Sequence, residues 1–205
     1  MQVKTLVVGR YNTNCYIVSD EKSGECAVID PGADASRILG YMSENRLKCR
    51  YVFITHGHPD HTGEAVTISE STGAPICIHR KDVGPEPVSR YGNFKPPEGT
   101  VFYKEGDTLT AGDITFRVLE TPGHTPGGVT LIAGDCMFCG DTLFKDGRGK
   151  TTYPGGNIRA ELRSLKRLAA LPDNYKVYPG HMDSTTLDRE RNFNTYVLEA
   201  VDSLL

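Results

Sequence analysis

The segment Thr55-His56-Gly57-His58-Pro59-Asp60-His61 places three histidines and one aspartate within six residues. Imidazole nitrogen and carboxylate oxygen are the donors that zinc, iron and manganese accept. Gly57 and Pro59 break any helical face, and the segment directly follows the apolar run Tyr51-Val52-Phe53-Ile54. The cluster therefore belongs to a loop at the end of a strand. In an extended segment residues i and i+2 project the same way, so His56 and His58 can grip one ion. Asp60 and His61, beyond the turn at Pro59, can reach a second.

Three further donors sit in equivalent places. His124 lies in Thr121-Pro-Gly-His-Thr-Pro126, His181 ends Tyr178-Pro-Gly-His181, and Asp141 follows Phe138-Cys-Gly140. Each occupies a Gly- or Pro-bearing loop directly after an apolar run, where a rigid scaffold presents functional groups. His79, beside Arg80 and Lys81, reads as a solvated residue at a strand end.

The elements that must position these loops are short. Val3–Val8, Cys15–Val18 and Cys26–Ile29 read as strands, and Tyr51–Ile54 as a strand buried on both faces. Pro75–His79, Ile114–Leu119, Gly128–Ile132, a run near Met137 and Tyr175–Tyr178 read the same way. Helices are expected from Asp34, with Ile38, Leu39 and Met42 on one face, and from Gly63 to Thr72, closed by Gly73. Another is expected from Asn157, with Ile158, Leu162, Leu165 and Leu168 at helical spacing. The last helix carries Phe193, Val197, Val201 and Leu204 and opens at a cap on Thr185 facing Asp188. Gly84–Gly99, with its prolines, reads as a surface loop near the site. Strands interleaved with helices predict a layered α/β protein, read as one domain spanning residues 1–205.

Composition excludes several classes. With 38% hydrophobic and 24% charged residues the chain is neither disordered nor fibrous. A net charge of −3 offers no footprint for nucleic acid. No apolar run approaches the roughly 18 residues of a membrane span, and the first residues lack a signal peptide's pattern. The six cysteines are scattered through apolar stretches, which suggests free thiols in a reducing cytoplasm. Cys136-Met-Phe-Cys139 has redox spacing but lies in an expected strand with no helix after the first cysteine.

His56-x-His58-x-Asp60-His61, followed in order by His124, Asp141 and His181, resembles the metallo-β-lactamase superfamily. The likeness starts at Asn14–Val18 and Ile29-Asp-Pro-Gly32 and runs through Gly140–Phe144 to His181. It implies an αββα sandwich of two mixed β-sheets flanked by helices, with two divalent metal ions, zinc first and iron or manganese possible, at the loop ends. Within the superfamily the pattern is most similar to glyoxalase II-type thioester hydrolases. Having His at 61 and Asp at 141 argues against the zinc β-lactamases, and His at 58 against the flavodiiron branch. The resemblance implies that His56, His58 and His124 hold one metal and Asp60, His61 and His181 the other, with Asp141 bridging. It also implies that Asp30 steadies the His56–His61 loop from behind. Gly147-Arg-Gly-Lys150 resembles the segment that meets the glutathione glycyl carboxylate, making Lys150, and with it Tyr153, candidate substrate contacts. The helical extension of glyoxalase II proper is not expected here.

The chemistry so implied is hydrolysis of a small-molecule thioester by a metal-bridging hydroxide, with Asp60 orienting the attacking water. Other outcomes share parts of the motif. A persulfide dioxygenase would use one Fe(II) on His56, His124 and Asp141, and a lactonase or phosphodiesterase would use the same two-metal centre. A non-enzymatic metal-binding protein is the third alternative.

Overall fold

A computed structural model describes residues 1–84 and 94–203. Residues 85–93 of the expected Gly84–Gly99 loop, and Leu204, lie outside the described residues.

The chain first builds β1 (Gln2–Val8), β2 (Thr13–Ser19), β3 (Glu25–Ile29), α1 (Ala35–Glu44) and β4 (Lys48–Ile54). Next come α2 (Pro59–Thr62), α3 (Ala65–Thr72), β5 (Ile76–His79) and β6 (Val101–Tyr103). β1 to β6 form one six-stranded sheet in chain order, antiparallel from β1 to β3 and parallel from β3 to β6. Parallel neighbours need a crossover, which α1 supplies between β3 and β4, and α2 with α3 between β4 and β5.

The second half contains β7 (Thr108–Ala111), β8 (Ile114–Glu120), β9 (Val129–Ala133), β10 (Cys136–Gly140) and a small hairpin of β11 (Leu143–Phe144) with β12 (Gly147–Arg148). It ends with α4 (Ile158–Ala169), β13 (Lys176–Pro179), β14 (Thr185–Thr186), α5 (Leu187–Phe193) and α6 (Thr195–Asp202). Its six-stranded sheet is ordered β14-β13-β10-β9-β8-β7.

The two mixed sheets stack through one apolar layer. Tyr16, Ile29, Phe53 and Tyr103 of the first meet Phe116, Val118, Leu131 and Phe138 of the second. Phe53 and Phe116 lie with ring centroids 5.0 Å apart. Helices cover the outer faces: Ile38, Met42 and Ile68 against the first sheet, and Leu162, Leu165 and Val197 against the second. β4 explains its own continuous apolar run, because Val52 and Ile54 face the helices while Phe53 faces the other sheet. The fold is the expected αββα sandwich. Each large apolar side chain so buried contributes roughly 1.5–3 kcal/mol, which leaves the loops at the sheet rims free to carry polar groups.

Several expectations need correction. The single terminal helix is two, broken at the buried Asn194, whose Oδ1 accepts from Tyr196 N and Val197 N and so starts a new helix. Thr186, rather than Thr185, caps α5, and Phe193 faces solvent at 69% exposure. The helix expected from Gly63 begins two residues later, after the separate turn α2. His79 is buried, not solvated: Nε2 lies 3.1 Å from Glu120 Oε1 while Nδ1 accepts from Lys81 N, which the neutral Nε2–H tautomer satisfies. Cys136 and Cys139 lie in different apolar clusters on opposite sides of their sheet, so β10 geometry keeps the two thiols apart.

Candidate metal centre

Strand direction assembles the site. β10 and β13 are parallel, and β8 and β10 each run antiparallel to β9, so β8, β10 and β13 end at one rim. β3 and β4 are parallel and end together on the other sheet. The loops leaving these five strands carry His124, Asp141, His181, Asp30 and the His56–His61 segment. Main-chain bonds Val129 N to Thr55 O (3.0 Å) and Asn14 N to Gly180 O (2.7 Å) join the two rims.

Two groups of donors converge there. His58 Nδ1 lies 3.1 Å from His56 Nε2 and 2.9 Å from His124 Nε2. Nearby, His61 Nε2 lies 3.4 Å from His181 Nε2, and Asp60 Oδ2 stands 3.6 and 3.2 Å from those two nitrogens. Asp141 lies between the groups. Its Oδ2 is 3.4 Å from His124 Nε2 and 3.6 Å from His181 Nε2, and its Oδ1 is 3.5 Å from His61 Nε2.

The outer ring nitrogens fix which atoms point inward. His61 Nδ1 meets Asp30 Oδ2 at 2.9 Å, His124 Nδ1 meets the Lys150 carbonyl at 2.7 Å, and His181 Nδ1 meets the Tyr11 carbonyl at 3.1 Å. These partners only accept, so each Nδ1 donates. His56 Nδ1 lies 3.1 Å from Thr55 Oγ1, whose own proton goes to Asp30 at 2.6 Å. Four Nε2 lone pairs therefore face the interior, as metal-ligating histidines require. His58 is turned the other way, its inward Nδ1 leaving Nε2 buried without a partner among the described residues, where Asp141 Oδ1 likewise finds no hydrogen bond. The opposed lone pairs and the orphaned Asp141 Oδ1 are what a divalent cation relieves, so the residues present fit a metal site.

The two groups differ electrically. Burial, followed by the neighbouring His61, holds His56 well below its ordinary value, and burial with His124 lowers His58 to about 4. In the second group burial is outweighed. Asp30 and Asp141 raise His61 to about 9, and the hydrogen bond to Asp60 raises His181. Burial pushes Asp60 up, yet His181 and His61 more than offset it, and its carboxyl stays below the usual range.

Residues 8–181 match the Metallo-beta-lactamase superfamily. The chain belongs to that superfamily. It is 31% identical to the hydroxyacylglutathione hydrolase GloC of Haemophilus influenzae, over 96% of this chain and 98% of that protein. Its fold is similar to ETHE1 from Myxococcus xanthus, with a TM-score of 0.85, 30% identity, and coverage of 98% of this chain and 88% of the other. It is also similar to TTHA1623 in a di-iron-bound form, with a TM-score of 0.83, 32% identity, and coverage of 95% and 100%.

In this metallo-β-lactamase superfamily member the remaining site candidates fall as follows. Asp30 adopts a left-handed conformation, φ 52°, at the end of β3. That bend lets its carboxylate accept from Thr55 N, Thr55 Oγ1 and His61 Nδ1 at once. Lys150 exposes its side chain and meets the site through its carbonyl. Tyr153 stands edge-on to His58 and His124, ring centroids 5.8 and 6.2 Å away.

Several residues escaped the sequence reading. Asp82, fully buried after β5, accepts from Gly57 N (2.9 Å), Thr125 Oγ1 (2.7 Å) and Gly127 N (2.6 Å). It thereby ties the His56–His58 loop to the His124 loop. A Cβ on Gly57 would sit 2.4 Å from the Asp82 carbonyl oxygen, and one on Gly127 2.6 Å from Oδ1, so both positions need glycine. Thr13 Oγ1 reaches Asp60 Oδ2 at 3.3 Å, and Asn14 Nδ2 donates to Pro179 O and Met182 O around the His181 loop. Glu161 is buried behind His124, and burial pushes it up to about 8. A carboxylate just after β5 and one on the apolar stripe of α4 were the available signals for Asp82 and Glu161.

Proposed function

We propose that this chain is a two-metal hydrolase of small acyl thioesters, of the hydroxyacylglutathione hydrolase kind. The observation that carries this is the convergence of His56, His58 and His124 on one side of Asp141, and of Asp60, His61 and His181 on the other. The likeness to a protein named as a hydroxyacylglutathione hydrolase supports the substrate class. In the proposed assignment His56, His58 and His124 would hold one divalent cation and Asp60, His61 and His181 another, with Asp141 within reach of both groups. All ligand atoms are nitrogen or oxygen, so zinc, iron and manganese suit them, and the likeness to a di-iron-bound protein supports iron as readily as zinc.

Cations held there supply a water acidified toward neutral pH and an electrophile for the thioester carbonyl oxygen. Asp60 uses Oδ2 toward His181 and His61, leaving Oδ1 to orient the attacking water. Asp30 and Asp82 prevent the ligand loops from relaxing, so the site is organised before substrate arrives. The departing thiolate needs no strong acid, because its conjugate acid has a pKa near about 8.5. The proposed location is the cytoplasm, since all six cysteines are free and buried. No helix among the described residues is long and apolar enough to cross a membrane.

A single-iron centre on His56, His124 and Asp141 would leave the approach of His58 Nδ1 to both histidines, and the whole second trio, without a purpose. Metal quantification on protein purified without added metal, paired with assays of S-lactoylglutathione and unrelated thioesters, tests the proposal. Two ions per chain with thioester turnover are expected. One oxygen-consuming iron points to a dioxygenase, and no turnover on thioester, ester or phosphodiester panels points to a non-catalytic metal protein. Asp60→Asn should lower turnover by roughly two orders of magnitude or more. An Asp60→Asn protein with full metal content and full activity would sink the assignment.

A further inference from the structure

Beside the second trio a cavity of about 230 Å³ opens between the β1–β2 turn and the Pro59–Asp60 corner, lined by Gly9, Arg10, Tyr11, Gly32, Pro59 and Asp60 among others. Nothing in the donor geometry accounts for Arg10. Its guanidinium stacks on the Tyr11 ring, 4.7 Å from the centroid, and spends one donor on Tyr11 Oη at 2.8 Å. Among the described residues it has no carboxylate partner, so the guanidinium of this exposed residue, which lines the cavity, keeps donors beyond the one given to Tyr11. Tyr11 Oη, accepting from Arg10, keeps its own proton to donate.

The turn that carries Arg10 is tied to the centre. The Tyr11 carbonyl holds His181 Nδ1, Thr13 Oγ1 reaches Asp60, and Gly9 N donates to Asp34 Oδ2 at 3.1 Å. Gly9 and Asn12 take left-handed conformations that close the turn, with Asn12 N bonded to Gly9 O at 3.3 Å. The backbone of the turn is therefore fixed relative to His181 and Asp60, while the Arg10 and Tyr11 side chains stay exposed at the cavity mouth. Lys150 and Tyr153 border the other trio, through His124 and His58, so the centre has cavity on one side and those residues on the other.

We propose that this cavity is the acyl-chain subsite and that Arg10, with Tyr11, binds a carboxylate at the far end of the acyl group. The preferred substrate class is then an acyl thioester whose acyl chain bears a terminal carboxylate. A guanidinium fork suits a carboxylate in two parallel hydrogen bonds. The inference rests on the thioester hydrolase assignment for its substrate but not for its binding site, and the two can fail separately.

The test uses metal-loaded protein and two thioesters of the uncharged thiol N-acetylcysteamine, the succinyl and the butyryl, which differ in that terminal group. The wild type should favour the succinyl compound, and Arg10→Gln should lower the succinyl-to-butyryl ratio of kcat/KM about tenfold or more, mainly through KM. Arg10→Lys should recover part of the preference. A ratio unchanged in Arg10→Gln overturns the subsite. Should the wild type hydrolyse neither thioester, the hydrolase assignment fails while calorimetric titration still decides the subsite. Succinate should then bind more tightly than butyrate, with that advantage lost in Arg10→Gln, and an advantage that survives overturns the proposal.

Discussion

The two trios of donors at the centre are built to different standards. His56, His58 and His124 are each more than nine-tenths buried, depend for their order on Asp82, and contain no carboxylate. Asp60, His61 and His181 combine a carboxylate with two imidazoles, have Asp30 behind them, and border an open cavity. Burial holds two rings of the first trio neutral, whereas Asp30, Asp141 and Asp60 favour positive charge in the second. The first trio is therefore a dry nitrogen cage fixed by loop-to-loop bonds. The second is a charge-balanced corner beside an open cavity.

Asp141 approaches both trios, so removing it should erase the difference between them. Asp141→Ala is expected to lose metal from both positions and to reduce turnover to background, measured by elemental analysis and thioester assay. Retention of two full equivalents would show that the trios do not depend on it. Asp82→Asn sharpens the contrast from the other direction. It should weaken metal affinity about 10- to 100-fold at the His56 trio, with little change at the Asp60 trio, read by competition with a chelator. Equal weakening of both ions would mean that Asp82 supports the sandwich generally.

Glu161 gives the smallest expected effect, and it bears on stability. Its folded pKa of about 8 exceeds the unfolded value, so the folded state binds more protons and stability falls as pH rises between roughly 4.5 and 8. Glu161→Gln removes that dependence. Its stability, read from the melting temperature, should match the wild type near pH 4.5 and exceed it increasingly up to pH 8, by a gain on the order of 1–2 kcal/mol. A constant offset across that range would mean that the buried carboxyl does not titrate there.

Much of this centre was legible before the structure. Tyr51–Ile54 announced a buried strand because its inward and outward residues are both apolar, and the cluster after it announced donors because no helix face tolerates that spacing. His79 was misjudged for an equally physical reason: flanking lysine and arginine suggest solvent, whereas its partner Glu120 is 41 residues away in sequence. The terminal helix was misjudged because apolar spacing continues across Asn194, while the break depends on Asn194 Nδ2 donating to Phe144 O and Gly147 O in a distant hairpin.

Donor identity is a property of side chains, and a strand-to-loop transition is written in a few neighbouring residues. The sequence by itself therefore determined which seven residues could bind metal and that strand ends present them. Partnership between remote residues is decided by how two sheets stack. Only the tertiary structure placed Asp141 between the trios, turned His58 opposite to the other rings, used Asp82 to clamp two loops, and set Arg10 at a cavity beside Asp60. Each of those relations spans dozens of residues of chain, beyond the reach of local spacing.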